Sequence, residues 1–242
     1  MWKIMLLSFL AGGATCVGGG IVILSRRPSG RTLAVFLGLA VGIMSGVVVM
    51  DLIPESIGRG SVIEAAMGVV AGLAVLHILS SILSYIMVIT GDPQGHSRLL
   101  RMGLLIGIGI ALHDLPEGIA IAAGHSAAER LGLVIALAIA LHNIPEGMAT
   151  AAPLWMGGMG RRKIALVIFL ISLVTPLGTF MGLILVNISQ GIISFLLAFA
   201  GGAMIYIAAV ELVPEALRSG PLPSAVGAAL GLGVIVMLSF LI

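Results

Sequence analysis

The stretch HDLPEG, residues 113–118, sets His, Asp and Glu around a proline inside an otherwise apolar run, and it nearly repeats as HNIPEG at 142–147. The apolar residues on either side, 102–112 and 118–123, are each too short to cross a bilayer alone, because a span takes about 20 residues. The hexamer therefore belongs inside a span and is not a polar turn between two. The chain around it decides what it is for.

The 242 residues are 60% hydrophobic and 9% charged, against about 25% charged in soluble domains. This composition predicts an all-α polytopic membrane protein. Spans are expected at roughly 4–24, 33–55, 63–90, 102–123, 131–153, 164–187, 192–216 and 222–242. Eight helices leave room for one transmembrane domain, 1–242, and no soluble one. The N-terminal run could pass for a signal peptide, but its apolar character continues to Leu24, which fits a first membrane helix better. The single cysteine, Cys16, excludes an internal disulfide.

Of the twelve Lys and Arg residues, nine fall on one face: Arg26, Arg27, Arg31, Arg98, Arg101, Arg161, Arg162, Lys163 and Arg218. Only Lys3, Arg59 and Arg130 fall on the other. The rule that basic loops stay in the cytoplasm places both termini outside. The charge is thus topological, and nucleic acid is not an expected partner. The longest basic connection is the loop 91–101, with His96 in a solvated linker.

The spans echo one another. HDLPEGIAIAAG (113–124) pairs with HNIPEGMATAAP (142–153), and MDLIPES (50–56) with VELVPEA (210–216). With alternating crossings the second and seventh spans run in opposite directions, the inverted repeat common in transporters. The 34 glycines are read as packing sites, since small residues let membrane helices approach closely.

Ionisable groups inside a span cost about 2.5–3.5 kcal/mol each on insertion scales and point to function. Asp114, Glu117, Glu146 and Glu211 lie well inside spans, Asp51 and Glu55 toward the end of the second, and Glu215 at the end of the seventh. None of these helix interiors supplies a Lys or Arg, so the carboxylates require protons or a bound cation. His113 and Glu117 are four apart, as are His142 and Glu146, and each pair shares a helix face. Pro116 and Pro145 remove a backbone hydrogen bond and free the carbonyls of Leu112 and Leu141, which suits a helix lining a cavity. Two such helices would bring two imidazoles and two carboxylates together, a set that suits zinc and its first-row neighbours and is too nitrogen-rich for calcium or magnesium. His77 is expected to be hydrogen-bonded within the bundle, and His125 lies at the outer end of the fourth span.

Eight spans with HxxPEG-type motifs on the fourth and fifth resemble the ZIP (Zrt/Irt-like) family of divalent metal transporters, in particular its GufA-like bacterial branch. The resemblance covers essentially the whole chain. It implies a 3+2+3 arrangement, with repeat one at about 1–90, central metal-site helices at about 101–153 and repeat two at about 164–242. It also implies a homodimer in the bacterial inner (plasma) membrane that moves metal, most of all zinc, toward the cytoplasm. By the same resemblance His113, Glu117, His142 and Glu146 match the primary metal site, and Asp114 and Asn143 a second site bridged by the glutamates. Asp51, Glu211 and Ser45 match pathway positions, and Glu55 and Glu215 follow the same pattern or mark helix ends. The sixth span departs from the family: related members read EPLG where this chain reads TPLG, so Thr175 replaces a second-site glutamate. Three carboxylates then face two ions of total charge +4, and a single tightly bound ion is expected.

The rival from another class is an intramembrane metal-dependent hydrolase using the same ligands. It needs an open metal position and a separate general base, and the HExxH pattern is absent. A proton- or sodium-coupled carrier of an organic solute leaves the paired histidines unexplained. No nucleotide-binding motif is present and no organic cofactor is expected.

Overall fold

The computed structural model describes residues 2–25, 27–89, 96–127, 129–184 and 190–241. Arg26, residues 91–95 of the expected basic loop and the end of the expected sixth span lie outside them. Within the described residues the fold is α-helical with no strand, the architecture of an all-α polytopic membrane protein. Its helices are α1 (Trp2–Leu24), α2 (Gly30–Val47), α3 (Ile53–Arg59), α4 (Val62–Ile89), α5 (His96–Ala127) and α6 (Glu129–Met156). They continue with α7 (Arg161–Ser172), α8 (Val174–Ile184), α9 (Gln190–Tyr206), α10 (Val213–Ser219) and α11 (Pro221–Leu241).

Seven stretches are long and apolar enough to cross a membrane: α1, Gly30–Arg59, Val62–Tyr85, Arg98–Ser126, Gly132–Met156, Arg161–Ile184 and Gln190–Ser219. The eighth expected span corresponds to α11, whose apolar part is shorter among the described residues, Pro221–Met237. Another expectation needs correction. Arg98 and Arg101, assigned to a loop from the sequence, lie in the first turns of α5, which begins at His96.

Proline shapes three of the spans. Val48–Leu52 and Ile207–Leu212 are π turns, each followed at once by the short helix that carries Pro54 or Pro214 at its start. Proline has no N–H to donate and its ring crowds the preceding turn. The wider turn accommodates that ring, with Ile53 N–H bonding back to Val48 O and Val213 N–H to Ala208 O. The echo of MDLIPES and VELVPEA is therefore also an echo in backbone shape. Pro176 likewise interrupts the sixth span, which breaks at Leu173 between α7 and α8. Glu64 is a capping residue: its carboxylate accepts from Ser61 N–H at 2.7 Å while Ser61 Oγ accepts from Glu64 N–H at 3.2 Å, a capping box.

Close helix approach rests on glycine. A Cβ at Gly38 or Gly42 would lie 2.2 and 2.1 Å from the carbonyls of Ser224 and Ala228. One step of four on α2 matches one step of four on α11, so the two helices run parallel. The same stepping relates Gly68 and Gly72 to Phe195 and Phe199, and Gly178 and Gly182 to Leu115 and Ile119. Parallel neighbours separated by an even number of crossings are what an alternating chain produces.

These approaches sort the helices. α1 packs on α6, and α5 packs on α6 and α8; α2 packs on α11, and α4 on α9. The first set forms one body around HDLPEG and HNIPEG. The second set flanks it with the two π-turn spans. The outer surface is apolar, with Phe9, Leu10, Ile63, Met67, Leu166 and Phe169 all exposed, as a lipid-facing bundle requires.

Replacing Gly42 by Val should therefore force α2 off α11 and destabilise the bundle by about 1–3 kcal/mol or more, the usual cost of overpacking. Gly20, where a Cβ meets nothing within 4 Å, should accept Ala with unchanged or slightly raised stability. Thermal unfolding of the two variants in detergent, side by side, checks this.

Candidate metal centre

Both hexamers sit within unbroken helices, Pro116 inside α5 and Pro145 inside α6. Their imidazoles and carboxylates meet in the packed interior. His113, Asp114, Asn143 and Glu146 are fully buried, and Glu117 and His142 nearly so.

The pairing is crosswise. His113 Nε2 on α5 lies 3.2 Å from both carboxylate oxygens of Glu146 on α6. His142 Nε2 on α6 lies 3.1 and 3.2 Å from the oxygens of Glu117 on α5. Within α5, His113 Nδ1 also comes to 3.3 Å from Glu117 Oε1, though not aligned for a hydrogen bond. The two rings are 6.3 Å apart, centroid to centroid. Helical spacing alone puts His113 beside Glu117; the helix crossing makes Glu146 and Glu117 the partners that close the set.

Asp114 joins from the side. Its Oδ1 is 3.6 Å from His113 Nε2, and both carboxylate oxygens are buried without a hydrogen bond. One donor atom each from His113, Asp114 and Glu146 lies within 4.8 Å of the others, compact enough for one ion. Asn143 turns its Nδ2 to the carbonyl of Ala11 on α1, donating at 3.0 Å, which leaves Oδ1 unpartnered. Among the described residues no Lys or Arg forms an ion pair with Asp114, Glu117 or Glu146.

Backbone packing seats this set. A Cβ at Gly118 would meet Thr175 O at 2.1 Å, and one at Gly147 would meet Thr15 O at 2.1 Å. The residue after each glutamate is thus the contact point with α8 or α1. Thr175, the residue at the altered family position, is fully buried with an unpartnered hydroxyl. Thr179 Oγ1 donates to Gly118 O at 2.9 Å and Thr150 Oγ1 to Glu146 O at 3.0 Å.

The other sequence candidates lie around this set. Asp51, exposed on the first π turn, is near enough to His142 and Glu117 to interact with their charges; Ser45 is exposed on α2, and Glu55 is exposed and held by Arg59 at 2.7 Å. Glu211, buried on the second π turn, receives the guanidinium of Arg101, and Glu215 pairs with Arg98. These two carboxylates therefore have basic partners, contrary to the expectation from their own helices. The signal missed was the spacing of Arg98 and Arg101, one turn apart at the start of an apolar helix. His77, expected inside the bundle, is exposed with its ring edge against Tyr206 at 6.1 Å. His125 lines a surface cleft with Lys3, Leu6, Leu7, Glu129 and Arg130.

The profile of the ZIP Zinc transporter family matches residues 90–240, more than half of the chain. The zinc transporter ZupT of Chlorobium luteolum is 33% identical over 235 residues, 89% of this chain and 88% of that protein. ZupT of Chlorobaculum parvum is 39% identical over 143 residues, 58% of this chain and about half (53%) of that protein's length. The zinc transporter GufA of Myxococcus xanthus is 34% identical over 118 residues, 48% of this chain and 46% of that protein. With its crossed His–Glu pairs on two proline-bearing membrane helices, the chain belongs to the ZIP zinc transporter family.

Proposed function

We propose that this protein is a secondary transporter of divalent transition-metal cations, zinc foremost and iron, manganese, cobalt or cadmium as further candidates. The crossed pairs His113–Glu146 and His142–Glu117, buried with no Lys or Arg paired to them among the described residues, carry the reading. Two imidazoles and two carboxylates give a borderline-soft site with neutralising charge for one such ion. The zinc transporter names of the relatives point the same way.

The mechanism follows from who holds the lone pairs. A neutral imidazole meeting a carboxylate at about 3 Å must direct an N–H at it. A metal ion needs the lone pair of the nitrogen that carries that N–H, so a neutral ring passes its proton to its other nitrogen, whereas an imidazolium or a protonated carboxyl at the centre must release one as the ion binds. Alternating access moves the body of α1, α5, α6, α7 and α8 against the other helices, in the family's 3+2+3 plan of eight crossings. Inward movement, both termini outside, the plasma membrane of a bacterium and a homodimer complete the proposal. The hydrolase alternative lacks support, since every buried acid at the centre is already needed as a ligand or bridge.

The second-site reading concerns Asp114, Asn143 and Thr175. Asp114, Glu117 and Glu146 sum to −3, one charge short of two divalent ions. We infer one tight ion at His113, Glu117, His142 and Glu146, with the second position weak.

In proteoliposomes loaded with a divalent-ion indicator, the protein should take up zinc, and His113→Ala or Glu146→Ala should cut uptake by about ten- to a hundredfold or more. Uptake unchanged in both variants would sink the assignment. Zinc affinity should fall as pH drops, because protons then compete with the metal for the same ligands. Calorimetry in buffers of different ionisation heat should accordingly report protons released per zinc. Thr175→Glu should raise the occupancy of the second position; two fully occupied ions about 4 Å apart in the wild-type protein would overturn the one-ion reading.

A further inference from the structure

Twelve residues before His113, Arg101 reaches out of α5 into the opposite body. At about 1.5 Å per residue this is about 18 Å along the helix from the candidate centre. Its Nη1 donates to Ser80 Oγ at 3.0 Å, Ser84 Oγ at 3.3 Å and Glu211 Oε1 at 3.3 Å, and its Nη2 to Glu211 Oε2 at 3.1 Å. Ser80 Oγ donates to Glu211 Oε1 at 3.3 Å as well. One turn earlier, Arg98 pairs with Glu215, one turn beyond Glu211. Two cations on one face of α5 thus grip two carboxylates of the π-turn span, with α4 supplying the serines.

We propose that Arg101 is a tethered counter-ion that shuts the pathway on the side of the basic loops, occupying the seat that Glu211, Ser80 and Ser84 offer to a leaving divalent ion. The proposal rests on the transport reading above. Several features distinguish this grip from an ordinary surface pair. Glu211 is 5% exposed, so its charge is tolerable only with a cation beside it. Both of its oxygens are taken by the guanidinium, in the bidentate geometry that orders such pairs. The partners also belong to different bodies, α5 to the one that holds the candidate centre and α4 with the second π turn to the other. Movement between those bodies must break this contact or carry Glu211 with it.

The exchange has a direction. A divalent ion advancing from His113 and Glu146 brings a second positive charge toward Arg101, and the repulsion grows as they close in a medium of low dielectric. Once α5 shifts, the vacated carboxylate and two hydroxyls make an all-oxygen seat, weaker for zinc than the His–Glu centre. Weak binding at an exit lets an ion leave. Arg98 and Glu215, more exposed, form the outer half of the same latch.

The test uses full-length protein with Cys16→Ser and Ala208→Cys, a reporter three residues before Glu211 that takes no part in the seat, labelled by a hydrophilic thiol reagent. Ala208 is 8% exposed, so labelling should be slow, and zinc should speed it. Arg101→Met should speed labelling without zinc by about ten- to a hundredfold, the worth of hydrogen bonds to a charged group, and abolish zinc's further effect. The exchange Arg101→Glu with Glu211→Arg should restore slow labelling. Unchanged labelling in folded Arg101→Met, or failure of the exchange to restore it, would overturn the latch. Should Arg101→Met not fold, Arg101→Gln, which keeps hydrogen-bonding capacity but loses the charge, decides: faster labelling supports the latch and wild-type labelling refutes it. Labelling needs no transport, so a wild type that carries no zinc sinks the transport reading separately.

Discussion

Negative charge buried without a fixed cation is the constraint on which the bundle depends. Asp114, Glu117 and Glu146 lie in a region where an isolated carboxylate would shed its charge, and the only basic side chains the described residues place against them are imidazoles. A lysine or arginine there would neutralise the site permanently. Histidine neutralises it conditionally, since the lone pair that accepts a proton also accepts a metal. The crossed pairing adds a mechanical consequence. Each imidazole is held by a glutamate of the other helix, so an ion bound to one pair is automatically shared across the α5–α6 interface. Relative movement of these two helices would dismantle the site, and the close glycine contacts of Gly118 and Gly147 with their outer neighbours hold each hexamer at a fixed depth.

The second pair of charged spans solves the same problem differently. Glu211 and Glu215 are given arginine partners from α5, while Asp51 is accessible within range of the charges of His142 and Glu117, and Glu55 is exposed beside Arg59. The two π turns, equivalent in sequence and in backbone, therefore end in unlike electrostatic surroundings. One carries an exposed aspartate, the other a buried glutamate closed by a guanidinium. On the proposed transport reading, this asymmetry corresponds to a route shut at the end where Arg101 meets Glu211.

What the sequence revealed follows from the range of each interaction. His113 with Glu117 and His142 with Glu146 could be placed on shared faces because a helix repeats within four residues. The bundle class and span positions came from composition alone. The crossed partners Glu146 and Glu117 could be expected to converge but not assigned, since helix crossing is set by glycines whose contacts, Gly118 on Thr175 or Gly147 on Thr15, are distant in sequence. Arg101 was hidden for another reason: a basic residue at the start of an apolar run reads as a loop anchor, and only tertiary packing turns it inward. The π turns left a trace in Pro54 and Pro214, but proline at a helix start has several solutions. His77 was misplaced because a polar residue in a span suggests burial, whereas an imidazole edge against Tyr206 is compatible with the bundle surface.

A last step concerns symmetry within the centre. Leu115 and Gly118 contact Gly178 and Thr175, and Ile144 and Gly147 contact Gly18 and Thr15, the same four-member pattern on each side. Both threonine hydroxyls are buried and unpartnered. The halves differ in one charged group: Asp114 on α5 stands where α6 has Asn143, and the asparagine's amide is spent on Ala11 O. If both were aspartate, four carboxylates would face two imidazoles and a single divalent ion would leave the set strongly negative. If both were asparagine, two glutamates would balance one ion, but no charged oxygen beside His113 could draw it from one pair toward the other. One aspartate biases the centre toward the α5 side while keeping the excess charge to a single unit. With threonine at 175 adding no further carboxylate, the balance suits an ion that is held, handed over and released, which is what a transporter requires and a storage site does not.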